Sequence, residues 1–546
     1  MSDRSTTAAS AAPSTKPPSS DPHDQVVLAI DLGTGGPKTA YVSLAGEVLD
    51  HEHRRVPIVT APDGTATEDA NDWWDAVTAS ARTLAERGAA RPDQIVAVAC
   101  TGQWGSTVPV GGDGLPVGDC VLWLDQRAHR LAARQLGGKV AVEGYRPRVV
   151  LEFIRRTGGA PSPLGNDPMG QRLWIRHEQP DVYAATKYFM EPVDYLNLRF
   201  TGRAAATQAS MLASFLTDNR QLDTVRYDPL LCGYAGTDID KLPELLPIRS
   251  VVGGVLPDVA DELGIPAGTP VVSGLPDLHA ATLGSGGVSD YHGHLSISTS
   301  AWVGCHTPTK RTSLMSQMAT VPSALAGQYV LVNNHDCGGA SMEWLLDMVV
   351  APDDGLTTGS PSLKDLDSLA AKVPPGADGV MFAPWLKGMR SPNADTAVRA
   401  AFLNIGIDSG RPQMVRAVLE GVAHQVRWLL EVSEDVLKHP IVDLRGIGGG
   451  AQSDLWCQIH ADVIGRPVSR VADPLVANVR GMGLFGGIAT GLLDPRNVSA
   501  CASIDRVFRP DPDASALYQE RHKEFIGLHK ELKGVARRLH RITQAH

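Results

Sequence analysis

The segment Asp31-Leu32-Gly33-Thr34-Gly35-Gly36-Pro37-Lys38 puts a carboxylate at the mouth of a glycine-rich turn with a hydroxyl inside it. Glycine lets backbone N–H groups come close to an anion, so such a turn can cradle phosphate. One carboxylate together with phosphate oxygens is enough to hold Mg²⁺. The competing reading is an ordinary hairpin whose Asp bonds its own backbone. In Leu275-Pro276-Asp277-Leu278-His279-Ala280 a second carboxylate opens a helical stretch. Asp277 is there either a helix cap or a base that takes a proton from a hydroxyl. Ser298-Thr299-Ser300 offers hydroxyl and backbone donors, as a phosphate contact or as a plain polar turn. A cradle, a metal carboxylate, a base and a nucleotide anchor are what phosphoryl transfer needs.

Two familiar phosphate motifs fail. Aligning Lys38-Thr39 with the end of a Walker P-loop puts Pro37 and Leu32 where glycines are required. Gly446-Ile447-Gly448-Gly449-Gly450-Ala451 satisfies the pattern GxGxxA, with Asp473 further on as a dinucleotide fingerprint wants. It stands late in the chain without a βαβ repeat around it, which leaves a nicotinamide reading weak.

The elements that position these residues follow from apolar patterning. Val26-Val27-Leu28-Ala29-Ile30 reads as a buried strand, 31–36 as a turn and 39–44 as a second strand. Residues 71–87 have helical spacing, with Asn71 or Asp72 as N-cap. Strands are expected at 95–100, 121–125 and 270–274, and a second hairpin at 294–305 echoes the first. The stretch 131–260 is mixed and largely helical. Residues 444–450 read as a strand entering a glycine-rich turn, 453–463 as a helix, 481–491 as a small-residue helix and 515–546 as a charged helix.

A chain of 546 residues exceeds one ordinary core, so two domains are expected, 25–288 and 289–546, after a disordered tail at 1–24. Lys+Arg 50 against Asp+Glu 60 argues against a nucleic-acid surface, and no apolar run is of membrane-spanning length. Seven scattered cysteines without a CxxC pair suggest neither a disulfide framework nor a zinc knuckle, and a cytoplasmic setting is the simplest reading.

In their order along the chain these segments resemble the FGGY carbohydrate kinases, most closely the xylulokinase-like branch, from about residue 26 to 492. Trp123-Leu124-Asp125-Gln126-Arg127 is similar to a sugar-side Trp-x-Asp-x-Arg segment, and Pro192-Val193-Asp194-Tyr195-Leu196 to a Pro-Lys-Asp-Tyr-Leu stretch. Gly448-Gly449-Gly450-Ala451-Gln452-Ser453 resembles the adenosine motif, which replaces the nicotinamide reading. The resemblance implies an α/β fold of two actin-like (RNase-H-like) domains around a cleft, with ATP and a small sugar, a ketopentose such as xylulose, as substrates. It implies Asp277 as general base, Asp31 as the Mg²⁺ carboxylate, and Gly33, Thr34 and Thr299 at the β- and γ-phosphates. It also implies Gly449, Gly450 and Ser453 at the nucleotide, and Gln103, Trp104, Gly105, Trp123, Asp125 and Asp277 around the sugar. No nucleic acid or membrane partner is expected, and a homodimer is compatible with the pattern.

The chain departs from the family pattern at several places. Ser298 replaces a glycine, Leu278 follows the catalytic Asp where Asn or another small residue is common, and Trp104-Gly105 replaces Met-His. Asn404 stands for Gly and Gln171 for Lys. These changes motivate the alternative of a non-catalytic sugar- or nucleotide-responsive binding protein on the same scaffold.

Overall fold

Val26, Leu28, Ile30 and Leu32 enter one apolar core, while Val27 and Ala29 enter another. A strand buried on both faces belongs in the middle of a covered sheet, and that is where the computed structural model puts it. The structure describes residues 21–138, 144–354 and 359–544, so most of the tail expected to be disordered lies outside the described residues.

The first lobe is built on strands β1 (Val26–Gly33), β2 (Gly36–Ser43), β3 (Val48–His53), β4 (Ile95–Gly102), β5 (Val251–Gly254) and β6 (Pro270–Val272), with the short β7 (Leu275–Pro276) beside β4. Their spatial order is β5-β6-β4-β1-β2-β3. The pairs β1–β2 and β2–β3 are antiparallel, whereas β4 runs parallel to β1 and β6 parallel to β4. Helix α1 (Ala70–Glu86) packs against β2 and β3, and α2 (Asp277–Gly284) follows β7 directly. The N-cap of α1 is Asp69, which accepts from the Asn71 N–H; neither Asn71 nor Asp72 fills that role. The first hairpin is also tighter than expected. Strand β1 continues through Asp31-Leu32-Gly33, and only Thr34 and Gly35 turn the chain, with Gly35 at φ +93° and Gly36 at φ +130°.

The second lobe repeats the plan. Strands β8 (His292–Ile297), β9 (Ala301–Thr307), β10 (Thr312–Ser313), β11 (Met318–Pro322), β12 (Tyr329–Val332), β13 (Val442–Ile447), β14 (Val468–Val471) and β15 (Ile504–Phe508) lie in the order β10-β11-β12-β9-β8-β13-β14-β15. Here β8–β9 is the antiparallel hairpin, and β13 runs parallel to β8 as β4 does to β1. Helices α3 (Arg411–Leu437) and α4 (Asp454–Ile464) pack together against this lobe.

Helix α5 (Ala477–Ala489) comes from the second half of the chain but covers β1, β2 and β4 of the first lobe. The expected division at residue 288 therefore separates the two sheets but not the helices that cover them. Glycines make the close fit possible. A Cβ on Gly284 would run into the Ala477 carbonyl, and one on Gly481 into the Ala280 carbonyl. Gly483 and Gly486 face Val42 and Val27 in the same way. Helix α6 (Pro512–Gln544) closes the chain and packs on α3 and α4.

Gly481→Val should lower the denaturant midpoint by the equivalent of about 1–3 kcal/mol, the usual penalty of overpacking a closed contact. Gly527→Ala, in α6 with open space around it, serves as the control and should leave the midpoint level or slightly raised.

Candidate active site

Parallel pairing sets the site. Asp31 on β1 is in register with Thr101 on β4, and Thr101 is in register with Leu275 on β7. The Thr101 hydroxyl fixes that register by donating to the Leu275 carbonyl at 2.8 Å. Asp31, Gln103 and Asp277 consequently emerge from the same end of neighbouring strands. Gly102 allows the approach: its Cβ position lies 2.6 Å from the Leu32 carbonyl oxygen, and the Gln103 N–H donates to that oxygen at 2.7 Å.

Asp277 is the first residue of α2, and its Oδ1 accepts from the Leu278 N–H at 2.7 Å. Burial, and next the charge of Asp31, push its carboxyl up to about 7. Asp31 is raised by burial too, with Lys38, Asn478 and His53 pulling the other way. Among the described residues its carboxylate takes one weak hydrogen bond, from Asn478 Nδ2 on α5 at 3.3 Å. Both carboxylates keep part of their surface open. Among the described residues no group of three or more His, Cys, Asp or Glu is arranged as a self-sufficient metal cage. A half-open carboxylate, weakly bonded and close enough to a second one to raise it, fits a cation completed by phosphate oxygens.

The phosphate turn and the acceptor side are joined by hydrogen bonds. The Thr34 hydroxyl donates to Gln103 Oε1 at 3.2 Å, and the Trp123 indole N–H donates to Thr34 Oγ1 at 3.2 Å. Gly105 adopts φ +85°; its N–H donates to Glu191 at 3.0 Å, and its carbonyl accepts from Gln171 at 2.8 Å. Gln171, where the family pattern has Lys, thus holds this segment through neutral hydrogen bonds that also reach Thr107 and Leu122. Trp104 and Leu278 share one apolar cluster with Leu212, Val321 and Val330, which brings two departures from the family pattern into a single patch spanning both lobes. The indole N–H of Trp104 has no partner among the described residues.

Asp125 is held by bonds within its own lobe. Its carboxylate is buried, accepting from the Ala66 N–H at 2.9 Å and pairing with Arg127 at 2.7 Å. Those bonds make it a brace for the Trp123 segment.

In the second lobe Thr299 is exposed at the tip of the β8–β9 turn. Ser298 fits without a positive φ, its Oγ 3.1 Å from Ser296 Oγ and its carbonyl accepting from the Gly339 N–H at 2.6 Å. Gly448, at φ +90°, is the partner that must stay bare, because its Cβ position lies 2.6 Å from Ser298 Oγ. Gly449 and Gly450 follow, half-buried. Ser453 is the N-cap of α4, accepting from the Trp456 N–H at 3.0 Å. Its oxygen therefore serves the helix, and any nucleotide contact would come in addition. Lys38, paired across the hairpin with Asp31, links the lobes by donating to the Leu475 carbonyl at 3.1 Å.

Sequence reasoning overlooked three polar contributors. Lys38 was visible only as the end of a failed motif, Asn478 is distant in sequence, and Glu68 lies in a stretch with no motif around it. The buried Glu68 carboxylate accepts from Gly35, Trp73 and Gln103.

Two sheets of like order, each with a phosphate-sized turn after its first strand, define the actin-like ATPase fold. The sequence model of the FGGY family of carbohydrate kinases, N-terminal domain, matches residues 26–284, and that of the C-terminal domain matches residues 293–490. The chain belongs to the FGGY family of carbohydrate kinases and is a carbohydrate kinase. It is 25% identical over 528 residues to a xylulose kinase of Staphylococcus epidermidis, covering 95% of this chain and 99% of that protein. It is 24% identical over 522 residues to a gluconokinase of Bacillus licheniformis, covering 93% and 96%. The solved xylulose kinase from Rhodospirillum rubrum superposes with a TM-score of 0.79 at 25% identity, covering 94% of this chain and all of that one. Plasmodium falciparum glycerol kinase with ADP superposes with a TM-score of 0.78 at 17% identity, covering 93% and 98%, and shares the fold. No helix among the described residues is long and apolar enough to cross a membrane.

Because folding raises the Asp277 pKa from 3.8 to about 7, the folded state holds that proton more tightly than the unfolded chain. The residue's contribution to stability is therefore lost as pH rises between those values. Asp277→Asn should melt higher than the unaltered protein at pH 8, by about 1 °C for each ~1 kcal/mol in a chain of 546 residues. The difference should vanish toward pH 4. A variant that melts lower at pH 8 would contradict the buried, repelled carboxylate.

Proposed function

We propose that this kinase moves the terminal phosphoryl group of Mg-ATP to a hydroxyl of a small ketose, with a ketopentose such as xylulose as the first candidate. The observation that carries the mechanism is the placement of Asp31 and Asp277 at one end of the same sheet, with Asp277 held near neutrality. A base with a pKa near the working pH combines a useful deprotonated fraction with useful proton affinity. Asp277 takes the proton of the acceptor hydroxyl as its oxygen bonds to the γ-phosphorus, and ADP leaves with the bridging oxygen.

Asp31 would hold Mg²⁺, through water or directly, and the ion would supply positive charge shared between phosphate oxygens. The backbone at Gly33, with Thr34 and Thr299, faces the β- and γ-phosphates from the two hairpins. Gly449 and Gly450 let the adenosine side of the nucleotide approach the backbone, with Ser453 fixing the helix behind them. Gln103, Trp104, Gly105 and Trp123 border the acceptor. Support for a ketopentose comes from the xylulose kinases among the relatives, and the gluconokinases widen the panel to sugar acids. The apolar patch of Trp104 and Leu278 beside Asp277 favours an acceptor that presents few hydroxyls on that side.

The test is ADP release from Mg-ATP with a panel of pentuloses, hexuloses, polyols and sugar acids. One acceptor should give turnover that chelation of divalent metal abolishes and Asp277→Ala lowers at least about a hundredfold. With Mg-ATP kept far below saturation, the ratio kcat/KM for that acceptor should fall tenfold per unit below pH 7, because the deprotonated carboxylate is the active form. Once a cation offsets Asp31, the repulsion on Asp277 is relieved, so the limb in kcat should lie at lower pH than the limb in kcat/KM. Turnover on every acceptor that matches the Asp277→Ala background would overturn the assignment.

A further inference from the structure

Glu68 ends the short strand Ala66–Glu68, which pairs with Val59–Thr60 on one side and Cys120–Val121 on the other. Its side chain is 1% exposed. Oε1 accepts from the Gly35 N–H at 3.1 Å, and Oε2 accepts from Trp73 Nε1 at 2.8 Å and from Gln103 Nε2 at 3.0 Å. Gln103 Oε1 in turn accepts from Thr34, the chain neighbour of Gly35, at 3.2 Å. The bonds therefore close a ring: Thr34 to Gln103, Gln103 to Glu68, Glu68 to Gly35, and back through the peptide.

We propose that Glu68 is a positioning residue that couples the phosphate turn to the acceptor side, so that nucleotide at Gly33–Gly35 orders Gln103 and its neighbours. The inference rests on the kinase reading above. A carboxylate suits the place because it only accepts, and all three of its neighbours donate. The Gly35 N–H cannot shift without moving an oxygen pair that Gln103 shares. A phosphate that draws on the Thr34 hydroxyl releases Gln103 Oε1 from its bond, freeing an acceptor for a substrate hydroxyl while Gln103 Nε2 stays anchored on Glu68. A glutamine at position 68 would fill the same space but would turn an NH₂ group toward one set of donors, breaking the ring on one side.

The probe is Mg²⁺ with AMP-PNP, followed by hydrogen exchange of the amides of Gln103, Trp104 and Gly105. In the unaltered protein nucleotide should slow their exchange at least about fivefold, the lower range of measured coupling between sites. Glu68→Gln should still bind the nucleotide but lose that protection. Thr34→Val, at an exposed position where folding is not at risk, should lose it as well when compared at nucleotide concentrations that saturate the variant, and decides the matter if Glu68→Gln does not fold. Unaltered protein that fails to bind Mg-AMP-PNP sinks the kinase reading and this inference together. Binding without protection of 103–105, or protection that survives in the variants, overturns the coupling alone.

Discussion

The backbone-to-backbone crossing of α2 and α5 at Gly284 and Gly481 is the contact on which the rest of the molecule depends. It sets the height and direction of α2, whose first residue is Asp277, and of α5, whose second residue is Asn478. Asn478 reaches Asp31 from there. The crossing thus sets Asp277 and the Asn478 donor relative to Asp31, which strand pairing holds on the other edge of β4. Burial, and next the charge of Asp31, raise the Asp277 carboxyl.

The two lobes use one strand order for different ends. After the first strand of each comes a hairpin turn, Thr34-Gly35 in one lobe and Ser298-Thr299-Ser300 in the other. The fourth strand of the first lobe leads into Gln103-Trp104-Gly105, beside the acceptor. Its counterpart β13 leads into Gly448-Gly449-Gly450, a bare backbone against which a nucleotide can lie. Side chains serve one position and their absence the other. Nothing in the sheets themselves distinguishes these roles, which is why the same architecture can host many chemistries.

The strands with both faces buried were legible because an unbroken apolar run such as Val26 to Ile30 has few other uses. The glycine-rich turns are legible too, though the first is narrower than its composition suggests, since polarity alone does not mark where pairing stops. Asn404 shows how a family glycine can be replaced: the residue sits at φ 56°, a conformation Asn tolerates, and bonds the Gly379 carbonyl. What the sequence could not display was the direction in which a carboxylate turns. Asp125 and Glu68 are both buried acids, yet one matched a motif and faces Arg127, while the other matched nothing and holds the phosphate turn. Asn478 needed a tertiary contact between distant parts of the chain to become visible at all.

The return of α5 to the first lobe has a consequence for how the chain can be divided. A fragment ending near residue 288 would leave Val27, Val42 and Leu44 facing water where Gly486, Gly483 and Gly487 now cover them. Such a fragment would be sticky and incomplete, and the remaining piece would carry a helix with no sheet to rest on. The halves of this kinase are therefore halves of shape only: co-expressed pieces would have to find each other before either became a folded body.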